Sequence, residues 1–100
     1  MNLLNIALVR AVAIKCGISS IVEDASEVKI YPENFDMDTW SALFDTYKNR
    51  MRMVMGEKVC ICFRFKKEEN LPALMYKLFT KYLEIKKELL EENVDKSREK

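Results

Sequence analysis

From Leu3 to Lys15 the chain is apolar but for Asn5, Arg10 and the closing lysine. Such a run predicts a helix ending near Cys16, hydrophobic nearly all round and therefore in need of cover on more than one side. Gly17 suits the left-handed position after the last turn, Ile18 the apolar position that closes a Schellman motif, and Lys15 the negative helix end. The period then changes to two. Ile18 to Glu23 and Glu27 to Tyr31 read as strands joined by a turn at Asp24-Ala25-Ser26, with Val28 and Ile30 on one face and Lys29 and Tyr31 on the other. Pro32 ends the second strand, since it has no N–H for a ladder.

A helical period returns with Trp40, Leu43, Phe44 and Tyr47, one stripe at i, i+3, i+4 and i+7, capped by Asp36 or Asp38. From Arg50 to Lys66 alternation takes over again. Met51, Met53 and Met55 share one side of a first strand; Val59, Ile61, Phe63 and Phe65 share one side of a second. A two-residue turn at Gly56-Glu57 would set the methionines opposite the cysteines. A three-residue loop sets them beside Val59, Ile61 and Phe63, and because register follows the buried face, the three-residue loop with a glycine bulge is expected. The last element is a long helix. Asn70 caps it, Pro72 sits in its first turn, and Leu71, Met75, Leu78, Tyr82, Ile85 and Leu89 form a stripe widened by Leu74, Phe79 and Leu83. A heptad-like run of this length reads as a helix lying along a sheet rather than a coiled coil. The charged segment 91–100, with Val94 as its one apolar residue, is expected to fray.

The order α-β-β-α-β-β-α predicts an α+β fold: one antiparallel four-stranded sheet made of two hairpins, with three helices packed on it. One hundred residues make one domain, read as part of a larger protein. With 49% hydrophobic and 33% charged residues and only two Gly and two Pro, the makeup is that of a helix-rich globular chain. A net charge of +1 argues against dedicated nucleic-acid binding. There is no histidine, which removes His-based acid–base catalysis and His-containing metal sites, and two glycines leave no phosphate cradle.

Cys16, Cys60 and Cys62 are an odd set, and Cys60 and Cys62 would point the same way from one strand. C-x-C with no second pair is a poor zinc site and a poor disulfide, so reduced packing thiols in a cytoplasmic protein are expected. The apolar N-terminus has its charges inside or after the run and lacks a cleavage signature, and no stretch reaches membrane-span length.

Arg50, Arg52, Arg64, Lys66 and Lys67 would gather on the polar face of the second hairpin. They are candidate contacts for phosphate or an acidic partner, set against a solvated face guarded by charge. Phe63 and Phe65 beside them give a weak hint of RNA stacking, without the glycines of that signature. The methionine row reads as core. Two acidic groups, Glu23, Asp24 and Glu27, then Glu33, Asp36 and Asp38, read as caps and turn residues rather than metal ligands. No nucleophile is paired with a base, so no catalytic, cofactor-binding or metal residue is assigned.

Asn2-Leu3-Leu4, Ile6-Ala7, Arg10, Ala13, Lys15 and Gly17-Ile18 fit the spacing N-L-L-x-I-A-x-x-R-x-x-A-x-K-x-G-I. This resembles the start of the C-terminal domain of bacterial transcription-repair coupling factors, and the element order is similar to about residue 90. The resemblance implies a non-catalytic, autoinhibitory domain of a DNA translocase. In that family the domain packs on the UvrB-like module and masks the surface that UvrA recognises until RNA polymerase is engaged. ATP, Mg2+ and DNA belong to motor domains outside the matched segment. The family's acidic stretch E-x-x-D-R-F-G precedes that segment, so no contact residue is carried over. The alternative reading is a small nucleic-acid-binding module that uses the basic hairpin face.

Overall fold

The computed structural model describes residues 3–98, with side chains as far as Glu92. A 3-10 turn, Leu3–Asn5, precedes α1 (Ala7–Lys15); β1 (Ile18–Glu23), β2 (Glu27–Pro32), α2 (Met37–Thr46), β3 (Met51–Met55), β4 (Val59–Arg64) and α3 (Leu71–Arg98) follow. The fold is the expected α+β arrangement. All three strand pairings are antiparallel, and the strands lie in the order β1-β2-β4-β3. The two hairpins thus join through β2 and β4, which become the inner strands.

The first helix is shorter than its apolar run. Ile6 is extended (φ −83°, ψ 115°), which separates the 3-10 turn from α1. At the other end Gly17 takes φ +71° and its N–H bonds the Ile14 carbonyl at 3.0 Å, as a left-handed cap requires. Asp36 caps α2: its Oδ1 accepts from the Thr39 amide at 3.2 Å and its Oδ2 from the Thr39 hydroxyl at 2.7 Å. Asn70 caps α3 through the Ala73 amide, at 3.1 Å.

The loop of the second hairpin has the expected three residues, Gly56 to Lys58, because Met55 pairs with Val59 and Met53 with Ile61. The expected glycine bulge is not there. Pairing is regular up to the loop and Gly56 does not enter the left-handed region, so three residues close the hairpin without it. The irregularity of the sheet lies instead in β1, between Ile18 and Ser20.

One face of the sheet carries the core. Val28, Ile30, Ile61, Phe63 and Met51 are buried there with Trp40 and Leu43 of α2 and Leu71, Met75, Leu78, Phe79, Tyr82 and Ile85 of α3. The Trp40 and Tyr82 rings meet at 4.8 Å between centroids. The methionine row is core only at its start: Met51 is buried, Met53 half-buried, and Met55 at the hairpin tip is exposed.

α3 runs to Arg98, with Leu90, Glu91 and Glu92 exposed; the expectation that 91–100 fray falls on side chains from 93 onward and on residues 99–100, outside the described residues. One expectation is corrected: α1 is not covered on several sides. Val9 and Ala13 are buried, whereas Leu8 and Ile14 are 59% and 62% exposed. Packing reaches one side of α1, and its apolar outer surface faces away from the core.

Candidate functional site

An inner strand faces two environments in alternation. In β4, Ile61 and Phe63 point into the core, while Cys60, Cys62 and Arg64 belong to the opposite, outer face. Register builds that face row by row. Val22, Lys29, Cys62 and Arg52 form one row across all four strands; Ser20 and Tyr31 lie opposite each other, as do Val54 and Cys60; Glu27 lies opposite Arg64. Among the described residues no helix covers this face, and Val22, Arg52, Val54 and Arg64 are exposed on it.

At the centre of this uncovered surface sit two buried thiols. Cys60 is 8% and Cys62 1% exposed, and their sulfurs are 3.7 Å apart. Long side chains of the neighbouring strands cover them. Arg52 of β3 donates from Nε and Nη2 to both oxygens of Glu27 on β2, at 3.0 and 2.7 Å, so the ion pair reaches across β4 beside Cys62. On the other side of the pair, hydrogen bonding to Cys60 pushes the Tyr31 phenol above its ordinary value. Burial, with Cys60 next to it, pushes the Cys62 thiol up, opposed by Arg52. Hydrogen bonding from Arg52 holds Glu27 below the usual carboxylate value. Cys16 is a different case: it lies in the core, its sulfur 3.4 Å from the Phe79 carbonyl oxygen, and burial pushes it up to about 12.

The five basic residues do not form one open patch. Arg52 is held by Glu27. Arg50 is paired with Glu69, donates to the Arg64 carbonyl at 3.1 Å, and lies over the Phe63 ring at 4.8 Å from its centroid. Arg64 donates to the Asn49 carbonyl. Lys66 and Lys67 are exposed beyond the end of β4. A hydrogen bond from the Lys66 amide holds Glu69 below the ordinary carboxylate value, with Arg50 acting the same way. Two of the five cations are thus already matched by carboxylates.

The acidic groups are dispersed in the same manner. Asp24 accepts from the Ala25 amide at 2.8 Å and lies 3.7 Å from Lys29; Glu27 serves Arg52; Asp36 serves Thr39; Glu23, Glu33 and Asp38 are exposed. Among the described residues no three His, Cys, Asp or Glu side chains come together as a metal cluster. No described helix is long and apolar enough to cross a membrane.

Sequence reasoning placed the cysteines on the polar face but missed what surrounds them. Alternation assigns Lys29, Tyr31 and Glu27 to a face of β2; only the β2–β4 pairing brings them beside the thiols. The exposed ridge of α1 was missed too, because an apolar run says nothing about which sides find a neighbour. Comparison of the chain with protein-family models, with curated proteins and with solved structures finds no match in any of the three.

Proposed function

We propose that this chain is a non-catalytic regulatory domain of a transcription-repair coupling factor. In this reading it packs on the UvrB-like module and masks the UvrA-binding surface until RNA polymerase is engaged. The observation that carries the reading is the outer side of α1. Leu8, Ala11 and Ile14 follow one another at spacings of three, all exposed, with Arg10 and Lys15 also exposed at the margins of the ridge. An apolar helix ridge left outside its own core is suited to burial against another domain, and the charged flanks suit the polar rim of such an interface.

The matched positions support the same reading. Leu3, Ala13 and Ile18 are buried and Gly17 is the left-handed cap, so the fold itself accounts for them. Arg10 and Lys15 are exposed, so a partner accounts for them better. Masking then works as a shift between two populated states, closed over the UvrA site or released from it, with no chemistry in the domain. The reading places the chain in the cytoplasm, and leaves ATP, Mg2+ and DNA to the motor domains of the parent protein. The nucleic-acid alternative is less favoured, because Glu27 and Glu69 take up two of the five cations it would need.

Calorimetric titration against the UvrB-like module, using the domain extended upstream through the acidic stretch, tests the proposal. Binding is expected, and Leu8→Glu with Ile14→Glu weakens it at least ~30-fold, since burying one such side chain is worth about 2 kcal/mol. In the parent protein the same pair raises UvrA recruitment. Absence of binding by the unaltered domain, or full affinity in a folded double variant, sinks the reading.

A further inference from the structure

We infer that the chain pairs with a second copy of itself along the free edge of β3, with Val54 on the two-fold axis. The inference is independent of the docking surface on α1, which packs on α3 and beside β1, at the far end of the sheet from β3. The sheet has two edges, β1 and β3, and they are built differently. β1 is guarded: its register slips between Ile18 and Ser20, the Ser19 hydroxyl there donates to the Tyr31 carbonyl at 2.9 Å, and Glu23 exposes a charge at the strand end. Such features turn a further strand away. β3 lacks them. Its pairing is regular from Met51 to Met55, and its one charge, Arg52, is drawn across β4 to Glu27, away from the edge. The end of the strand is apolar on both faces, with Val54 44% exposed on the outer side and Met55 60% exposed on the helix side. A regular, apolar, unguarded edge is a template for another strand.

Ladder geometry selects the register. The Arg64 amide donates to the Arg50 carbonyl at 2.7 Å and the Phe65 amide to the Ser26 carbonyl at 3.1 Å, so alternate residues of β4 bond β3 and β2. Arg52 and Val54, opposite Cys62 and Cys60, therefore turn their N–H and C=O groups toward β4, while Met53 and Met55 turn theirs to the open edge. Met51 is engaged elsewhere, its amide donating to the Tyr47 carbonyl at 3.2 Å. A two-fold axis at Val54 pairs the free groups with each other and asks nothing of Met51. Met53 of each copy then lies opposite Met55 of the other, and the two exchange N–H···O bonds in both directions.

Side chains fit the same register. The two Val54 residues face each other as a non-hydrogen-bonded pair, the closer of the two kinds, and Met55 comes beside Met53 of the second copy on the helix side. Both exposed apolar residues of β3 are thereby covered. Arg52 falls opposite Gly56 of the second copy, which has no charge to oppose it. The four strands of each copy become one continuous sheet whose outer edges are both β1, so the assembly closes at the dimer.

The test is sedimentation equilibrium of the 100-residue chain, with amide hydrogen exchange read residue by residue. The expected result is a reversible monomer–dimer equilibrium with Kd below about 100 µM. Protection of the Met53 and Met55 amides rises with protein concentration far more than that of Arg52 and Val54, which already bond β4. Val54→Lys and Val54→Glu each weaken pairing at least ~10-fold by setting like charges face to face, and an equal mixture of the two restores it. Met55→Pro removes only an outward N–H, so it weakens pairing by ~10-fold or more while the hairpin persists. A chain still monomeric at about 0.5 mM, several times that Kd, overturns the proposal, as do oligomers that grow beyond the dimer. Those readings and the exchange pattern need only the unaltered chain, so a variant that misfolds does not blunt them. A dimer left intact by folded Val54→Lys overturns it as well, and so does one dissolved by Leu8→Glu with Ile14→Glu, which would put the contact on α1.

Discussion

The two faces of β4 are buried by different means. Toward the helices, Ile61 and Phe63 are closed in by side chains from β2, α2 and α3, and Phe63 meets Tyr47 edge-on at 5.5 Å. Away from the helices, Cys60 and Cys62 reach nearly the same burial beneath nothing thicker than the side chains of Lys29, Tyr31, Glu27 and Arg52. The first kind is interdigitated packing, where removing an atom leaves a hole that the surroundings cannot close. The second is a thin cover of long side chains that can resettle, because solvent lies just beyond it. Equal exposure therefore does not mean equal energy.

Truncation sharpens the contrast most. Phe63→Ala is expected to cost about 3–5 kcal/mol, the range for a buried aromatic. Cys62→Ala, one position earlier and just as hidden, is expected to cost about 1 kcal/mol, since it removes one sulfur from beneath a cover that can close. Urea unfolding of both variants measures the difference. A Cys62→Ala loss as large as that of Phe63→Ala would mean the outer face is packed like the inner one.

The next largest difference is the direction in which pH acts. On the core side, burial pushes Cys16 and Tyr82 up to about 12. Both groups are acids held neutral by the fold, so their contribution is complete below the ordinary values of 9.0 and 10.0 and is lost as pH rises toward 12. By about pH 10.5 the Cys16 share is on the order of 2 kcal/mol. Cys16→Ala with Tyr82→Phe should flatten the alkaline limb of a stability–pH curve, after correction for the packing each change costs. An alkaline limb unchanged by the pair would show that these groups titrate as they do in the unfolded chain.

The parts of this structure legible in the chain were those set by local periodicity. The apolar stripe of α3, the Asp36 and Asn70 caps and the left-handed Gly17 each depend on neighbours within a few residues. The three-residue loop was legible for a less local reason: only that register lines Met51 and Met53 up with Phe63 and Ile61. Strand order was not legible, because the pairing of β2 with β4 joins segments some thirty residues apart and no turn dictates it. The candidate site depends on that pairing. Cys60 and Cys62 could be assigned to the outer face from alternation alone, whereas their cations and their cover come from strands distant in sequence. The exposure of Leu8 and Ile14 escaped notice for the converse reason, since a helix with apolar residues on every side does not reveal which side stays bare.

The smallest predicted effect bears on the cover itself. Glu27 and Arg52 form a two-bond ion pair at the surface, with the guanidinium well exposed. Exposed pairs are worth ~0.2–1 kcal/mol, and a double-mutant cycle of Glu27→Gln with Arg52→Gln should give a coupling in that range, shrinking as salt is raised. The acid side of the pH curve follows from the same contact. Arg52 holds Glu27 below its ordinary value of 4.5, so the contribution is present above that value and disappears as pH falls through the lowered one. This is the reverse of the alkaline loss on the core side. A coupling of several kcal/mol that ignores salt would place the pair in a dry interior, and Cys62 would then be sealed rather than covered.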